Sequence, residues 1–275
     1  MPEGPEIKQE ADRLGKVLCG SKLVSITIAF EHLKHYEADF LGRTVSNVES
    51  RGKALLTHID TGDTIYSHNQ LYGKWFLTKP GEPPETGRSL RLALRTSSAD
   101  ALLYSASEID VWKTSDVYTH PYISRLGPEV LKSGLRLSAV TKQLHNRSFT
   151  GRQLGALLLD QSFIAGIGNY LRSDILNKVG LHPSLRPSDL TETQKTDLAK
   201  ALRDVTRQSY RTKGITNDLK RVRRLKASGV ERDDYRHLAF RRDGEDCYTC
   251  GAPIERIEFS SRRLYLCPTC QPPPT

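Results

Sequence analysis

No stretch of the 275-residue sequence approaches the roughly 18 consecutive apolar residues that a membrane-spanning helix needs. Residues 1–20 are too densely charged to hold the apolar core of a secretion signal. Cysteine is scarce until the C-terminus: Cys19 stands alone, and the other four are Cys247, Cys250, Cys267 and Cys270. A disulfide framework needs cysteines spread along the chain, so this clustering favours a metal site. No internal repeat stands out. The expectation is a soluble, intracellular chain.

What the chain has in excess is positive charge. Lysine and arginine number 41 against 32 acidic residues, a formal +9 with histidine neutral. An excess of that size points to a polyanionic partner without naming it. The length leaves room for two domains, or for one domain and a small module.

The opening MPEGPEI reads as a helix start. Pro5 suits a first turn, where its missing N–H is no loss, and Glu3 and Glu6 suit the positive end of the helix dipole. Ile7, Ala11, Leu14 and Leu18 recur at helical spacing, with Gly20 as a stop. From Lys22 to about Tyr104 the texture is that of strands. KLVSITIAF alternates, and KALLTHI, GDTIYSH, KWFLTK, LRLALRT and ALLYSA follow between Gly, Asp and Pro signals. That series predicts a β-sandwich or barrel with the first helix attached. Beyond about Leu126 the pattern turns helical. GRQLGALLLDQ and NYLRSDILNKVG read as two helical segments around a short turn, and TETQKTDLAKALRDV opens on a capping box, Thr191 with Gln194. Residues 211–236 are rich in Arg and Lys without clear periodicity and read as a mobile basic segment.

Four local signals carry chemistry. CYTC and CPTC, with sixteen residues between them, can bring Cys247, Cys250, Cys267 and Cys270 to one tetrahedral Zn²⁺. Four protein ligands leave no position for a substrate, so such a zinc is structural. Arg256, Arg262 and Arg263 lie between the pairs, suited either to phosphate or to a solvated face. In SFIAGIGNY, Gly166 and Gly168 permit a tight turn before a helix that begins at Asn169 and Tyr170. Such a helix start is an anion site or simply a packing corner. In SRGKALL, Lys53 precedes an apolar strand, as many solvated edge charges do. HNQLYGKW places Leu71 and Tyr72 at a hairpin tip, where they can wedge between base steps or fold back onto the core.

Taken together, MPEGPEI, RGKALL, AGIGNYLR and the CPTCQ finger resemble the formamidopyrimidine-DNA glycosylase and endonuclease VIII family, in family order across essentially the whole chain. PEGPEI, SHNQLYG and LLYSAS resemble its endonuclease VIII branch. The resemblance implies an α+β multidomain fold. It comprises an N-terminal β-sandwich with a flanking helix over 1–125, a helical domain with a helix–two-turn–helix motif over 131–228, and a C-terminal β-hairpin zinc finger over 237–271. One structural Zn²⁺ is the implied cofactor. The implied partner is double-stranded DNA containing damaged bases or abasic sites, bound between the domains by a monomer in a prokaryotic cytoplasm, with no membrane attachment.

The same resemblance implies site residues. With Met1 removed, the secondary amine of Pro2 attacks C1′ of a damaged nucleotide, expels the base and forms an iminium with the opened sugar. The cationic adduct draws electrons from the C2′–H bond, and β,δ-elimination breaks the strand. Glu3 is the implied acid–base group, Glu6 a supporting carboxylate, and Lys53 the cation beside the scissile phosphate. Asn169 and Arg262 grip the flanking phosphates, with Gly168 and Arg172 on the same DNA-binding surface. Gln70, Leu71 and Tyr72 fill the gap left by the flipped nucleotide.

This sequence departs from the family pattern in three places. Asp174 stands where glutamate is expected, which predicts altered base-side contacts. SSRRLYLC holds two arginines, so Arg262 is assigned by alignment and Arg263 is its rival. Residues 219–236 match the family poorly. The implied function is a bifunctional DNA glycosylase and abasic-site lyase that removes oxidised bases, pyrimidines in particular. The rival class is a non-catalytic damaged-DNA-binding protein, yet binding alone does not need Pro2, Glu3 and Lys53 together. A metal-dependent nuclease needs an open zinc position, and no second ligand cluster is visible in the sequence.

Overall fold

The computed structural model describes residues 2–274; Met1, whose removal the resemblance implies, lies outside the described residues, as does Thr275. The chain divides into two compact units, Met1–Arg125 and Leu126–Thr275. Among the described residues, no helix is long and apolar enough to cross a membrane.

The first unit opens with helix α1, Gly4–Leu18, whose buried stripe is Ile7, Ala11, Leu14 and Leu18. Its first turn is closed from within, since the Glu6 carboxylate reaches back to accept the Glu3 backbone N–H at 3.0 Å. After strand β1, Ser25–Ile28, and the short helix α2, Tyr36–Phe40, come β2, Val45–Arg51, β3, Ala54–Ile59, and β4, Asp63–His68. Next come β5, Lys74–Thr78, β6, Leu90–Arg95, β7, Asp100–Tyr104, and β8, Glu108–Lys113. They form two four-stranded antiparallel sheets, ordered β1-β6-β7-β5 and β2-β3-β4-β8. A single core holds Ile26, Ile28, Leu92 and Leu94 from one sheet, Val48, Leu55, Ile65 and Ile109 from the other, and Ala11, Leu14 and Leu18 of α1. The sandwich arises because each sheet has one apolar face to hide.

Two strands escape the sequence pattern. VSNVESR (β2) and EIDVWK (β8) are the edges of the second sheet, mostly polar and half-exposed, so they carry no clean alternation. The central β3 is buried at all six positions because its outer face is covered as well. Val117, Ile123 and Tyr122, beyond β8, pack there against Ala54, Leu56 and Tyr66.

The second unit is helical, followed by a hairpin. Its elements are α3, Leu137–Leu144, α4, Arg147–Thr150, α5, Leu154–Leu157, α6, Asn169–Val179, and α7, Glu192–Arg211. They continue with α8, Leu219–Ala227, α9, Arg232–Tyr235, and the hairpin strands β9, Glu255–Phe259, and β10, Arg262–Leu266. The Thr191–Gln194 capping box is present at the start of α7. GRQLGALLLDQ supplies only the four-residue α5, whose first two amides, free of any partner within the helix, donate to the carbonyls of Leu185 and Pro183. Leu264 and Leu266 of β10 enter the helical core beside Leu171 and Ile175, so the hairpin lies inside this unit.

Residues 211–236 form α8 and α9 where the sequence predicts a mobile segment. Polar anchors replace the missing apolar period. Asp218 caps α8 by accepting the Arg221 N–H at 2.8 Å, and buried Asn217 donates to Tyr235 O at 2.8 Å. Only Val222 of α8 is buried.

Candidate functional site

In the first unit the implied catalytic residues sit at two chain turns. Glu3 caps α1 and is only 3% exposed, while Pro2 beside it is half-buried. Helix propagation from Gly4 thus fixes the Pro2–Glu3 peptide, and the backward bond from Glu6 locks it. Lys53 occupies the two-residue turn between β2 and β3, where Arg51 pairs with Ala54. Gly52 takes the positive φ (58°) at the first turn position, as a primed hairpin turn demands. The turn has a brace that the sequence does not reveal: the Lys53 backbone N–H donates to the Tyr122 hydroxyl at 2.9 Å.

Leu71 and Tyr72 of the Gln70–Tyr72 tip are not folded back onto the core. Leu71 is 59% and Tyr72 70% exposed. The tip rests on a rigid base. Gly73 N–H donates to Asn69 O at 2.7 Å, and a Cβ at Gly73 would meet that carbonyl at 2.6 Å, so only glycine closes this turn. Buried Asn69 donates to Glu10 of α1 at 2.8 Å, and Arg88 holds the Tyr72 carbonyl. Burial pushes the Glu10 carboxyl up, against the bond from Asn69 and the nearby Arg13.

Beneath the tip, a pocket of about 550 Å³ is lined by His68, Gln70, Glu108, His120, Tyr122 and Arg125, among others. Gln70 donates its side-chain amide to Glu108 at 2.9 Å and its backbone N–H to His68 Nδ1 at 3.0 Å. An accepting Nδ1 means that the neutral ring carries its proton on Nε2. Burial holds the His68 pKa below its ordinary value; Lys53 adds to that effect and Glu108 opposes it. His68 and Glu108 therefore join the tip to the lysine turn.

In the second unit Gly166 takes φ 91° and its N–H donates to Gln161 Oε1 at 2.9 Å. Gly168 is the N-cap of α6, and Asn169 its first residue. Asn169 donates through Nδ2 to Arg263 O at 2.8 Å and accepts at Oδ1 from Arg172 at 2.6 Å. Arg172 is not on a DNA-accessible surface. Its side chain is fully buried and its guanidinium donates to Gly155 O and Arg263 O at 2.8 and 3.0 Å. α6 is buried at every position from Tyr170 to Leu176, so Arg172 is enclosed and becomes a support for Asn169.

Strand alternation separates the two arginines of the hairpin. Arg262 shares a face with Leu264 and Leu266, which pack on the helical core, whereas Arg263 shares its face with Tyr265, which packs near the cysteines. Both side chains are exposed.

Asp174 is enclosed by the protein itself. It is fully buried, and Oδ1 accepts the N–H groups of Ala239 and Phe240 at 2.8 and 2.9 Å. Oδ2 accepts from Thr216 and lies 3.0 Å from His237 Nδ1. The shorter carboxylate ties α6 to the strap leading into the hairpin. Burial pushes its carboxyl up, but the His237, Thr216 and Ala239 bonds outweigh that and leave it below the usual carboxylate range.

The four clustered cysteines place their sulfurs within 4.8 Å of one another. Cys247–Cys270 at 3.9 Å and Cys250–Cys267 at 3.4 Å approach the roughly 3.8 Å edge of a tetrahedron with Zn–S bonds of about 2.3 Å. The donor set fits Zn²⁺. Buried Gln271 fastens the second knuckle to the helices, accepting Cys267 N–H at 3.0 Å and donating to Leu181 O at 2.9 Å.

A sandwich with a braced lysine turn, a helical unit with a glycine-rich helix start, and a four-thiol hairpin define a DNA-repair glycosylase class. Sequence-family models agree along the chain. The formamidopyrimidine-DNA glycosylase N-terminal domain matches residues 1–107, its H2TH domain matches 126–220, and the zinc finger found in FPG and IleRS matches 244–273. The chain belongs to this family, and its zinc finger holds one structural Zn²⁺. Among curated relatives, Endonuclease 8 of Escherichia coli is 45% identical over 271 residues, covering 98% of this chain and all of that protein. Endonuclease 8 of Klebsiella pneumoniae is 44% identical over the same span. In fold the chain resembles Lactococcus lactis Fpg (MutM) in complex with DNA containing an oxidised pyrimidine. The TM-score is 0.81 at 21% identity, covering 99% of this chain and all of that one.

Proposed function

We propose that this protein is a bifunctional DNA glycosylase and abasic-site lyase of base excision repair that releases oxidised pyrimidines, with Pro2 as nucleophile. The observation that carries the reading is the nearly complete burial of the Glu3 carboxylate directly beside Pro2, at a helix start that a second carboxylate locks. A secondary amine beside a buried acid suits attack at C1′ coupled to proton transfer. Nitrogen bonds to C1′ as the glycosidic bond breaks, and Glu3 exchanges the proton that opens the ring. The resulting iminium acidifies C2′–H. Loss of that proton expels the 3′ phosphate, and a second elimination expels the 5′ phosphate.

Lys53, on its braced turn, stabilises the phosphate that leaves. Asn169 and Arg262 hold the flanking phosphates, and Gln70, Leu71 and Tyr72 occupy the vacated stack. Every group required comes from one chain, which supports action as a monomer. The bacterial sources of the relatives support a prokaryotic cytoplasmic setting. The test is incubation with duplexes that each carry one lesion. Release of oxidised pyrimidines, with strand breaks bearing phosphate at both ends, is expected. Binding without base release would favour the non-catalytic damage sensor.

A further inference from the structure

Helix α8 presents a charge array at the edge of the matched family domains: the H2TH match ends at Lys220 and the zinc-finger match begins at 244, so Arg223 and Arg224 lie between them. Its sequence LKRVRRLKA has five basic residues and no acid. On a helical wheel Lys220, Arg223 and Arg224 stand at i, i+3 and i+4, forming one triangle roughly opposite buried Val222. All three are exposed, and none makes an ion pair among the described residues. The Arg223 side chain donates only within its own helix, to Leu219 O at 3.2 Å. Three like charges at this spacing oppose helix formation, so the array works against its own helix.

The helix is nevertheless held firmly. Arg221 donates to Asn217 Oδ1 at 2.9 Å and lies 4.3 Å from the ring centroid of Tyr248, between the first two cysteines. Arg242, itself buried, stacks on Tyr248 at 3.5 Å. The first cysteine knuckle thus fixes the backbone of α8, whose outward charges have no carboxylate partner among the described residues.

We propose that the Lys220–Arg223–Arg224 face of α8 is an additional binding surface for the phosphate backbone of duplex DNA, organised by the zinc knuckle. The inference rests on the DNA-repair reading above. Phosphate oxygens complement a cationic triangle with no carboxylate among it, and each phosphate contact releases condensed counterions. The four acids nearby in sequence, Asp218, Glu231, Asp233 and Asp234, lie at the cap and on or beside α9. Asp218 is spent on the Arg221 amide, and Asp233 lies 3.5 Å from Arg236.

The test compares full-length, zinc-loaded enzyme with a Lys220→Gln, Arg223→Gln, Arg224→Gln variant. Binding to a duplex carrying an abasic-site analogue is measured across a salt series. Each lost phosphate contact removes about 0.9 from the slope of log K against log salt, so the slope falls by about 2–3. Affinity at about 0.1 M salt drops tenfold or more, while strand cutting at saturating enzyme stays within about twofold. The comparator is Lys195→Gln, Lys200→Gln, Arg203→Gln on α7. Those charges are already paired with Glu192, Asp197 and Asp204 at 2.9, 3.3 and 2.7 Å, and their loss leaves the slope nearly unchanged. An unchanged slope for the α8 variant overturns the proposal. So does an equal change in the α7 comparator, which assigns the effect to net charge, or a change seen with single-stranded RNA but not with duplex DNA. Wild-type protein that binds without cutting refutes the enzymatic reading and leaves this one intact.

Discussion

The buried guanidinium of Arg172 donates to the side-chain oxygen of Asn169 at 2.6 Å, which sets the direction of the Asn169 amide. With Oδ1 taken, Nδ2 is the end that donates to Arg263 O, and its second hydrogen remains for another acceptor. Arg172 is therefore a positioning residue.

Arg172→Met is expected to weaken binding to an abasic-site analogue about as much as Asn169→Ala, with the double variant little worse than either. Residues in one hydrogen-bond network couple by about 0.5–3 kcal/mol. The variant also leaves Gly155 O short of a donor, at roughly 1–3 kcal/mol of stability, whereas Arg263 O keeps its bond from Asn169. Binding and urea unfolding measured together separate the two effects; additive binding losses would put Arg172 outside the Asn169 network.

The zinc hairpin should be needed for DNA binding and remote from bond breaking. Cys250→Ser is expected to lose metal and binding together, whereas Arg262→Ala keeps its zinc and still binds weakly. One charge-assisted phosphate contact contributes roughly 1.5–3 kcal/mol, so a loss of about tenfold or more is expected. Zinc content read beside affinity checks this. Normal binding by Arg262→Ala and failure by Arg263→Ala would transfer the role across the strand.

Asp174 gives a pH dependence with a definite sign. Its folded pKa lies below the unfolded value of about 3.9, so its contribution to stability is present above that pH and is lost as pH falls through the folded value. Asp174→Asn should unfold more easily at neutral pH and lose that part of the acid dependence below about pH 4. Denaturant midpoints of both proteins from pH 7 to pH 3 test it. Parallel curves would contradict the assignment.

Leu71 should matter where a base must be unstacked. Flipping from an intact stack costs a few kcal/mol, and less when the base is already unpaired. Leu71→Gly should slow release of a paired lesion and largely spare one in a single strand, because Asn69, Gly73 and Arg88 hold the backbone of the tip. Equal slowing on both substrates would make Leu71 a support for the fold.

Much of this arrangement is legible from residues alone, for identifiable reasons. α1, the inner strands and the face of α7 follow periodicity, because one side of each is apolar. The cysteine pairs announce their hairpin by spacing. The edge strands β2 and β8 stay hidden because edges are half-solvated, and α8 because buried Asn217 and the Arg221–Tyr248 stack replace an apolar stripe. Long-range polar contacts leave no periodic trace. Tyr122 lies 69 residues from the Lys53 amide it braces, and Asp174 meets partners more than 40 residues away. Arg172 reads as a DNA ligand in sequence, since arginine at a phosphate-binding helix start is indistinguishable there from arginine turned inward.

The central claim is that the Pro2 amine bonds to C1′ of the lesion, and borohydride trapping followed by peptide mapping tests it most directly. Borohydride added during turnover should reduce the iminium and leave protein joined to DNA, with the adduct on the N-terminal peptide at Pro2. A protein that retains Met1 should neither release the base nor trap, while still binding an abasic-site analogue through the second unit. Glu3→Gln should lose base excision yet keep some cleavage at preformed abasic sites, where the sugar is already open. Mapping of the adduct to Lys53 or any other lysine, or trapping by the Met1-retaining protein, would contradict the account.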